Sequence, residues 1–284
     1  MGRPNVGKST LLNALVDSKV AITSEKPQTT RHAIRGVLTH EHAQLVFVDT
    51  PGLQKPRHQL GKRMNVVVAQ TLAEVDICLF MLDASSGFGS GDSRGAREVM
   101  EASIPAICVI NKADKVQPPE LLRKIEQASD LADWTDVLTT SAKNKTGLRD
   151  LVETLTRLLP EGPRYYEEGT VTDQSEGLLV SERIREKILD ATRKEVPHSV
   201  AVVVDEISKR PDAEIIDVVA IIYTLRPSQR GILLGKGGSM IKQIGIKARK
   251  DIEELLGGQI FLDLKVKVEP HWQRDAQLLE RMGY

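Results

Sequence analysis

The sequence predicts an α/β domain built on a mostly parallel sheet, followed by a smaller α+β domain. Three observations lead to this prediction. The chain opens with the phosphate-loop spacing G-x-x-x-x-G-K-[ST], which Gly2–Ser9 fits. Apolar strand-like runs then alternate with amphipathic helical stretches as far as Leu159, which is typical of a parallel sheet with both faces covered by helices. Beyond residue 177 the order changes to one helix, two strands, two helices and a last strand.

Length and composition limit the class of protein. A chain of 284 residues favours about two domains. Its 39 Lys and Arg residues balance its 39 Asp and Glu residues, so only a local cluster of charge could attract nucleic acid or a membrane. The apolar runs are too short to span a membrane, and we expect no signal peptide. Cys78 and Cys108 lie in apolar runs, so we expect buried free thiols in a reducing cytoplasm.

The first domain is predicted to cover residues 1–160. The phosphate loop leads into a helix that ends near Val16, and a strand pair follows at 32–39 and 44–48. The remaining predicted elements are helices at about 57–74, 92–103, 119–132 and 148–159, and strands at 76–83, 106–110 and 136–140. A phosphate loop joins a strand to a helix, and here no strand can precede it. We therefore expect a truncated N-terminus, a sheet that lacks its first strand, and reduced stability.

Residues 160–177 hold two prolines, three glycines and several acids, and residues 161–177 are predicted to form a linker. The second domain then covers 178–284. Its predicted elements are a helix at about 178–194, strands at 200–208 and 215–226, a short helix at 231–234, a long helix at 239–256 and a strand at 260–268. The apolar residues around the last two helices have the spacing of packed helices, and they are Ile232, Leu233, Leu234, Met240, Ile241, Ile244, Ala248, Ile252 and Leu255.

A G-x-x-G sequence, Gly235-Lys-Gly-Gly238, lies between these two helices. Such a loop lets a nucleic-acid backbone approach closely and clamps about four nucleotides. With the order of elements around it, the loop fits a KH domain of the bacterial topology. The charged residues from 226 to 250 are all basic, namely Arg226, Arg230, Lys236, Lys242, Lys247, Arg249 and Lys250. The predicted RNA contacts are Gly235, Lys236, Gly237, Gly238, Lys242, Arg249 and Lys250. Trp272 is expected to pack in the core or as a cap, and a platform on which a base stacks is the alternative.

Three further motifs each follow a predicted strand, so they should meet the phosphate loop at one edge of the sheet. They are Asp49-Thr-Pro-Gly52, Asn111-Lys-Ala-Asp114 and Ser141-Ala-Lys143. Each alone could be an ordinary turn, helix cap or loop, but their order and placement predict a guanine-nucleotide site. The predicted nucleotide-binding residues are Asn5, Val6, Gly7, Lys8, Ser9, Thr10, Asp49, Thr50, Pro51, Gly52, Asn111, Lys112, Asp114, Ser141, Ala142 and Lys143.

The residues predicted on the phosphate side of this site have separate roles. Lys8 would reach the β- and γ-phosphates, and the Ser9 hydroxyl would bind Mg²⁺. Asp49 could hold Mg²⁺ through a water molecule, and the Gly52 N–H could sense the γ-phosphate. These groups predict the binding of a nucleoside triphosphate together with Mg²⁺.

The base side of the site explains the choice of guanine. The Asp114 carboxylate could accept hydrogen bonds from guanine N1 and N2, a donor pair that adenine does not offer, so an ATPase is disfavoured. The stem of Lys112 could cover one face of the base, and the backbone of Ser141–Lys143 could bind O6.

With Gln28-Thr-Thr-Arg-His32 and the G-x-x-G domain, these motifs resemble the Era family of bacterial ribosome-assembly GTPases over nearly the whole chain. The resemblance implies a P-loop GTPase domain followed by a KH domain, with GTP or GDP and Mg²⁺ as ligands. It makes Thr30 the first-switch threonine that completes Mg²⁺ coordination, whereas spacing alone would make it an ordinary loop residue. The implied metal ligands are Ser9, Thr30 and Asp49, and the implied catalytic residues are Lys8, Thr30 and Gly52.

Two positions bear on the rate of hydrolysis. Leu53 stands where many GTPases carry a glutamine that orients the attacking water, so we expect slow hydrolysis, and Gln54 is interpreted as unrelated. Asn5 lies where related GTPases use an asparagine to hold potassium against the phosphates. K⁺ would then be a further cofactor, and a hydrogen bond that shapes the loop is the alternative.

The resemblance also implies a partner, the 3′ end of 16S rRNA, and a role in assembly of the 30S ribosomal subunit. The residues alone indicate only single-stranded RNA, and DNA is not an expected partner. A second hypothesis is a KH-type RNA-binding module whose truncated first domain is catalytically inactive. We expect a cytoplasmic protein, with peripheral attachment to the inner face of the cell membrane left open.

Overall fold

The computed structural model describes residues 1–26, 28–52, 56, 58–211 and 213–284. The chain divides into two compact units. The first comprises Met1–Ala21, Thr30–Lys55 and Met64–Asp173, and the second comprises Ile22–Thr29, Pro56–Arg63 and Gln174–Tyr284. Leu53 and Gln54, on which the expectation of slow hydrolysis rests, lie outside the described residues. Within the described ranges, no helix combines the length and apolar character needed to cross a membrane.

The helices and strands before residue 160 alternate as the sequence predicts, with bounds within a few residues of those expected. In chain order they are α1 (Lys8–Leu15), β1 (Ile34–His40), β2 (Ala43–Asp49), α2 (Gln59–Glu74), β3 (Cys78–Asp83), α3 (Ser90–Glu101), β4 (Ala106–Asn111), α4 (Pro118–Ser129), β5 (Asp136–Thr139) and α5 (Leu148–Leu158).

Strands β3, β4 and β5 form a parallel sheet in that order, while β1 and β2 form a separate antiparallel pair. The parallel sheet is buried on both faces, because alternate side chains enter two different apolar cores. Met81, Ile107 and Val109 face one core, and Phe80, Cys108 and Ile110 face the other. This double burial explains why the strands are continuous apolar runs in the sequence. The predicted parallel sheet is confirmed.

Strands β2 and β3 are each an edge strand of their own sheet. Met1 bridges to β3, since the Met81 N–H donates to the Met1 oxygen at 2.9 Å and the Met1 amino group donates to the Leu79 oxygen. Gly2 has a φ of 132°, and a Cβ there would lie 2.4 Å from the Met81 oxygen. Between the two strands lies a cavity of about 640 Å³, with Phe47 and Leu79 in its lining.

Residues 161–173 run along the β1–β2 pair. The Val37 N–H donates to the Val171 oxygen at 2.9 Å. The Gln44 side chain accepts from the Tyr166 N–H at 2.9 Å and donates to the Tyr166 oxygen at 2.9 Å. The first part of the predicted linker is therefore bound to the first unit.

The second unit has the predicted order of elements with two short helices added. In chain order they are α6 (Glu176–Ala191), α7 (Val196–Ser199), β6 (Ala201–Lys209), β7 (Ile215–Thr224), α8 (Pro227–Leu234), α9 (Ser239–Leu256), β8 (Gln259–Val268) and α10 (Ala276–Arg281). The sheet order is β6-β7-β8, antiparallel in the first pair and parallel in the second. The α+β arrangement predicted for this half of the chain is confirmed.

Helix α8 begins four residues earlier than the sequence predicts. Pro227 occupies its first turn, and the Gln229 side chain accepts from the Leu225 and Arg226 N–H groups at 3.0 Å. Residues 226–231 are polar and contain proline and glycine, a composition typical of a turn. The sequence pattern therefore did not indicate that the helix begins there. Leu233 is buried in the core, but Ile232 is 51% exposed, so the predicted core position of Ile232 is wrong.

Candidate functional site

The phosphate loop wraps closely around the side chain of Lys8. The Lys8 ammonium donates to the carbonyl oxygens of Gly2 at 3.1 Å and Arg3 at 3.0 Å. Burial lowers the pKa of Lys8, and the nearby Asp49 carboxylate opposes this shift. Gly7 has a φ of 104°, and a Cβ there would lie 2.3 Å from Asn111 Nδ2. The lysine therefore lies inside the curve of the loop, where it could exchange these carbonyls for phosphate oxygens.

Three oxygen-bearing side chains converge beside the first turn of α1. The Ser9 hydroxyl donates to Asp49 Oδ2 at 2.5 Å, and the Thr30 hydroxyl donates to the same oxygen at 3.1 Å. The two hydroxyl oxygens are themselves 3.1 Å apart. Oxygen ligands of this kind are those that Mg²⁺ prefers.

Asp49 is the carboxylate of this cluster, and its surroundings shift its pKa. Burial raises the pKa of Asp49, and Lys8 and the hydroxyls of Ser9 and Thr30 oppose the shift. Its Oδ1 atom is buried and has no hydrogen-bond partner among the described residues. A buried carboxylate oxygen without a partner is costly, and a divalent cation would relieve that cost. The residues present thus fit a magnesium ion.

Asn111 links three of the predicted loops. It is 2% exposed, and its Nδ2 donates to the Val6 oxygen at 2.9 Å. Its Oδ1 accepts from the Ala142 N–H at 3.0 Å and from the Thr140 hydroxyl at 3.2 Å. This asparagine therefore positions the phosphate loop and the Ser-Ala-Lys loop relative to the end of β4.

The Asp114 side chain lies at the surface, where a base could reach it. One oxygen of its carboxylate accepts from the Ser141 hydroxyl at 2.5 Å, which fixes the orientation of the carboxylate. Lys112 adopts a φ of 64°, and its ammonium donates to the Asn5 oxygen at 2.7 Å and to Asp83 at 2.5 Å. These two contacts fix the side chain of Lys112, and its role in covering the base stays a prediction.

Asp83 is a site residue that the sequence analysis missed. Burial acts to raise the pKa of this carboxyl, but hydrogen bonds from Lys112 and Ser85 outweigh burial and lower the pKa overall. Asp83 ends β3 as Asp49 ends β2, so the rule that sites lie at the carboxyl ends of strands could have identified it.

The other predicted positions lie on the same loops. Thr50 and Pro51 are buried, and Gly52 lies against Pro4, since a Cβ at Gly52 would be 3.4 Å from the Pro4 ring. Lys143 is exposed on the loop after β5. The structure therefore brings the phosphate, magnesium and base motifs to one edge of the first unit.

The G-x-x-G loop of the second unit joins α8 to α9. Gly235, Gly237 and Gly238 all have positive φ angles, of 71°, 59° and 79°. A Cβ at Gly235 would lie 2.8 Å from the backbone of Met240, whereas a Cβ at Gly237 or Gly238 would meet nothing within 4 Å. The open side of the loop could accept a nucleic-acid backbone.

The basic residues beside this loop are accessible. Arg226, Arg230, Lys236, Lys242, Lys247, Arg249 and Lys250 are all exposed. Ile232 on α8 and Ile246 on α9 are 51% and 56% exposed, which the sequence analysis did not anticipate. Trp272 is fully buried and its indole donates to the Ser199 oxygen at 3.2 Å, so the expectation of core packing is confirmed.

The first unit has the fold of a P-loop GTPase domain, and the second has the fold of a KH domain. Residues 1–112 match a family described as 50S ribosome-binding GTPase, and residues 195–273 match the KH domain family. The chain is 47% identical to GTPase Era of Heliobacterium modesticaldum over 284 residues, which cover 100% of this chain and 95% of the relative. It is 48% identical, with the same coverage, to GTPase Era of Carboxydothermus hydrogenoformans. The chain belongs to the Era family of GTPases, as the resemblance implied.

Two solved structures agree with this assignment. Each has a TM-score of 0.94 and 37% identity, and covers 100% of this chain and 96% of its own. One is a variant of Aquifex aeolicus Era bound to GDP·AlF₄⁻, and the other is Era in complex with MgGDPNP and nucleotides 1506–1542 of 16S ribosomal RNA. Membership of a GTPase family favours an active first domain over the inactive alternative.

Proposed function

We propose that this chain is a GTP-driven switch that binds single-stranded 16S rRNA and assists assembly of the 30S subunit. The observation that carries the proposal is the convergence of Ser9, Thr30 and Asp49, with one carboxylate oxygen buried and without a partner among the described residues. In a member of the Era family, this cluster is explained by Mg²⁺ bound together with GTP.

The proposed hydrolysis depends on Mg²⁺ and on groups of this chain that contact the ion or the phosphates. When bound, Mg²⁺ supplies charge neutralisation at the β- and γ-phosphates. Ser9 and Thr30 would hold the ion directly, and Asp49 would hold it through a water molecule. The Lys8 ammonium would exchange the carbonyl oxygens of the loop for phosphate oxygens, and the Gly52 N–H would donate to the γ-phosphate. Both groups would then stabilise the negative charge that develops on the phosphate oxygens in the transition state.

The potassium ion expected at Asn5 is part of the same proposal. Asn5 has a φ of 67°, and its carbonyl oxygen is held by the Lys112 ammonium. The Lys112 ammonium thus fixes the backbone of Asn5 in the phosphate loop. Faster hydrolysis in potassium chloride than in sodium chloride would support the cation, and equal rates would favour the loop-shaping alternative.

The RNA partner follows from the second unit and from the Era structure that contains nucleotides 1506–1542 of 16S rRNA. We propose that this chain binds the corresponding segment. Gly235–Gly238 would clamp the RNA backbone, and Lys236, Lys242, Arg249 and Lys250 would contact phosphates. Action in the cytoplasm on the 30S subunit, with peripheral contact to the cell membrane, completes the proposal and is testable by cell fractionation.

A hydrolysis assay with two variants tests the magnesium cluster. Ser9→Ala should lower the rate of GTP hydrolysis by roughly a hundredfold, because it removes a hydroxyl that would hold the Mg²⁺ ion against the negative charge of the transition state. Ser93→Ala, which removes an exposed hydroxyl on α3, should leave the rate unchanged. Equal rates for Ser9→Ala and the unaltered chain would refute the assignment.

A binding assay tests the RNA partner. A labelled RNA of the 16S 3′ sequence should bind more tightly than a DNA of the same sequence and than a shuffled RNA. Equal affinity for all three would leave only a nonspecific electrostatic interaction, which falls steeply with salt.

A further inference from the structure

Arg3 occupies one of the four variable positions of the phosphate loop. The spacing G-x-x-x-x-G-K-[ST] leaves positions 3–6 free, and only position 3 carries a charge in this sequence. The proposed hydrolysis involves the carbonyl oxygen of Arg3, which accepts from the Lys8 ammonium at 3.0 Å, but it does not involve the guanidinium. The phosphate-loop motif therefore does not explain this charged group.

The Arg3 guanidinium forms an ion pair with a buried carboxylate of α3. Its Nε lies 3.1 Å from Asp92 Oδ1, and its Nη2 donates to the Ser86 hydroxyl at 3.3 Å. The side chain of Asp92 is 1% exposed, and its Oδ2 accepts from the Gly89 N–H at 2.9 Å. A carboxylate buried to this extent needs an ion pair and hydrogen bonds, and Asp92 has both. Because all these residues belong to the first unit, the pair ties the phosphate loop to α3 within one compact body.

The start of α3 leaves room for the stem of the arginine. A Cβ at Gly91 would lie 3.2 Å from Arg3 Cδ, which is closer than an ordinary van der Waals contact. A Cβ at Gly89 would lie 3.9 Å from Arg3 Nη1. Arg3 therefore packs against the first residues of the helix in addition to its ion pair.

The charge of Arg3 does not favour α3 itself. The N-terminus of a helix carries a partial positive charge, which stabilises an anion and disfavours a cation. Asp92, in the first turn of α3, complements this charge, whereas Arg3 opposes it. The ion pair is thus better explained by its effect on the phosphate loop than by its effect on the helix.

The first residues of the loop are held at two points. The Met1 oxygen accepts from the Met81 N–H of β3 at 2.9 Å, and two residues later Arg3 is paired with α3. The next two residues of the loop are exposed. When the Lys8 ammonium exchanges the Arg3 carbonyl oxygen for a phosphate oxygen, the ion pair would keep the backbone of the loop in place.

We propose that Arg3, through its ion pair with Asp92, is a positioning residue for the phosphates of the bound nucleotide. The inference rests on the proposed function. The pair fixes the backbone of the loop from outside, and the backbone N–H groups and Lys8 meet the phosphates from inside. The guanidinium acts through the loop, so binding of the phosphates depends on the pair and recognition of the base does not.

The test measures affinity for GDP and for guanosine, which carries the same base but no phosphate. Arg3→Met keeps an unbranched stem beside Gly91 and removes the guanidinium. We expect affinity for GDP to fall about tenfold, as for loss of a hydrogen bond from a charged donor, and affinity for guanosine to be unchanged. Arg94→Met is the control, because it removes an exposed arginine that pairs with Glu98 on the same helix, and it should alter neither affinity.

Two further variants keep the test valid if Arg3→Met does not fold. Arg3→Lys keeps the charge beside Asp92, but a single ammonium cannot reproduce the fork of the guanidinium, so the loss of GDP affinity should be smaller than in Arg3→Met. Asp92→Asn keeps an oxygen for the Gly89 N–H and turns an amide N–H towards Arg3, so affinity for GDP should again fall while affinity for guanosine is unchanged. Combined with Arg3→Met, it should add little to the loss, because both changes remove the same interaction.

Three outcomes would contradict the inference, and they are distinguishable. If Arg3→Met, Arg3→Lys and Asp92→Asn bind GDP as tightly as the unaltered chain, the positioning role is wrong and the proposed function stands. If affinities for GDP and guanosine fall by the same factor in these variants, the pair supports the whole first unit, and the positioning role is again wrong. If the unaltered chain binds GDP no more tightly than guanosine and hydrolyses no GTP, the proposed function fails and the inference fails with it.

Discussion

Asn111 donates to the carbonyl oxygen of Val6 at 2.9 Å, and this hydrogen bond joins the end of the central strand β4 to the phosphate loop. The same side chain accepts from the Ala142 N–H at 3.0 Å. One buried side-chain amide therefore contacts both the phosphate loop and the Ser-Ala-Lys loop. An asparagine that a sequence motif would place beside the base therefore has its main contacts with the protein.

Replacement of Asn111 should destabilise the first unit and weaken nucleotide binding together. Asn111→Ala leaves the buried groups of Val6, Thr140 and Ala142 without this partner, and we expect a loss of about 2–3 kcal/mol in the free energy of unfolding. Urea denaturation and GDP affinity measure the two effects. Asn144→Ala, an exposed change on the Ser-Ala-Lys loop, is the control and should alter neither. Unchanged stability in Asn111→Ala would contradict this account of the loops.

Asp114→Asn should change the base that the site prefers. The carboxamide presents a donor where the guanine N2 amino group needs an acceptor, so GTP affinity should fall and xanthosine triphosphate affinity should rise. We expect a change of at least about a hundredfold in the ratio of the two affinities, since polar groups left unpaired in a specific site are strongly discriminating. Asp133→Asn, at another exposed position, should leave the ratio unchanged. A constant ratio in Asp114→Asn would refute the assignment of the base.

Both cysteines should be unreactive in the native chain. Burial raises the pKa of Cys78, and it raises the pKa of Cys108 to about 12. Reaction with a thiol reagent at pH 8 should therefore be slow until urea is added, and two thiols should then react. The described structure has both as free buried thiols, as the sequence predicts. Rapid reaction without denaturant would show that these strands open readily.

The same pKa shifts predict a loss of stability at alkaline pH. A thiol whose pKa is raised by folding favours the native state below the unfolded value of about 8.5, and this contribution is lost as pH rises towards about 12. The free energy of unfolding should thus fall with rising pH in this window, and Cys108→Ala should reduce the slope. If the free energy of unfolding of Cys108→Ala falls with pH as steeply as that of the unaltered chain, the loss of stability at alkaline pH comes from other groups.

The G-x-x-G loop should be needed for RNA binding but not for hydrolysis. Lys236→Asp combined with Gly237→Asp places two negative charges where the backbone of the RNA would approach, and aspartate tolerates the left-handed φ of residue 237 comparatively well. We expect RNA affinity to fall more than tenfold while GTP hydrolysis without RNA is unchanged. Lys209→Asp, an exposed change at the end of β6, is the control for reversal of a lysine charge outside the loop. An equal loss of RNA affinity in the control would show that the effect comes from the net charge of the protein and not from the loop.

The parts of this molecule that could be predicted from sequence are those whose chemistry is local. The Asp49, Asn111 and Ser141 motifs stand at the ends of apolar strands, so the direction of the chain alone places them at one edge of the sheet. The KH order was predictable for a similar reason, because Gly235–Gly238 lies between two amphipathic helices. Neither inference needed a contact between distant residues.

The burial of two charged residues of α6 could not be predicted in this way, and it leaves Glu182 6% exposed and Arg185 1% exposed. Glu182 and Arg185 have the i, i+3 spacing of an ordinary solvated ion pair, and nothing in the helix marks them as buried. Their burial depends on a segment more than 150 residues earlier in the chain. The helices α7 and α10 were missed for another reason, since elements of four and six residues are too short to show a period.

The proposed GTP-driven switch requires nucleotide state and RNA binding to be coupled in this chain. It is tested most directly by the affinity for the 16S 3′ RNA, measured once with GDP and once with a non-hydrolysable GTP analogue, both with Mg²⁺. We expect the analogue complex to bind the RNA at least about fivefold more tightly, and the RNA to raise affinity for the analogue over GDP by the same factor. Equal RNA affinity in the two nucleotide states would contradict the account.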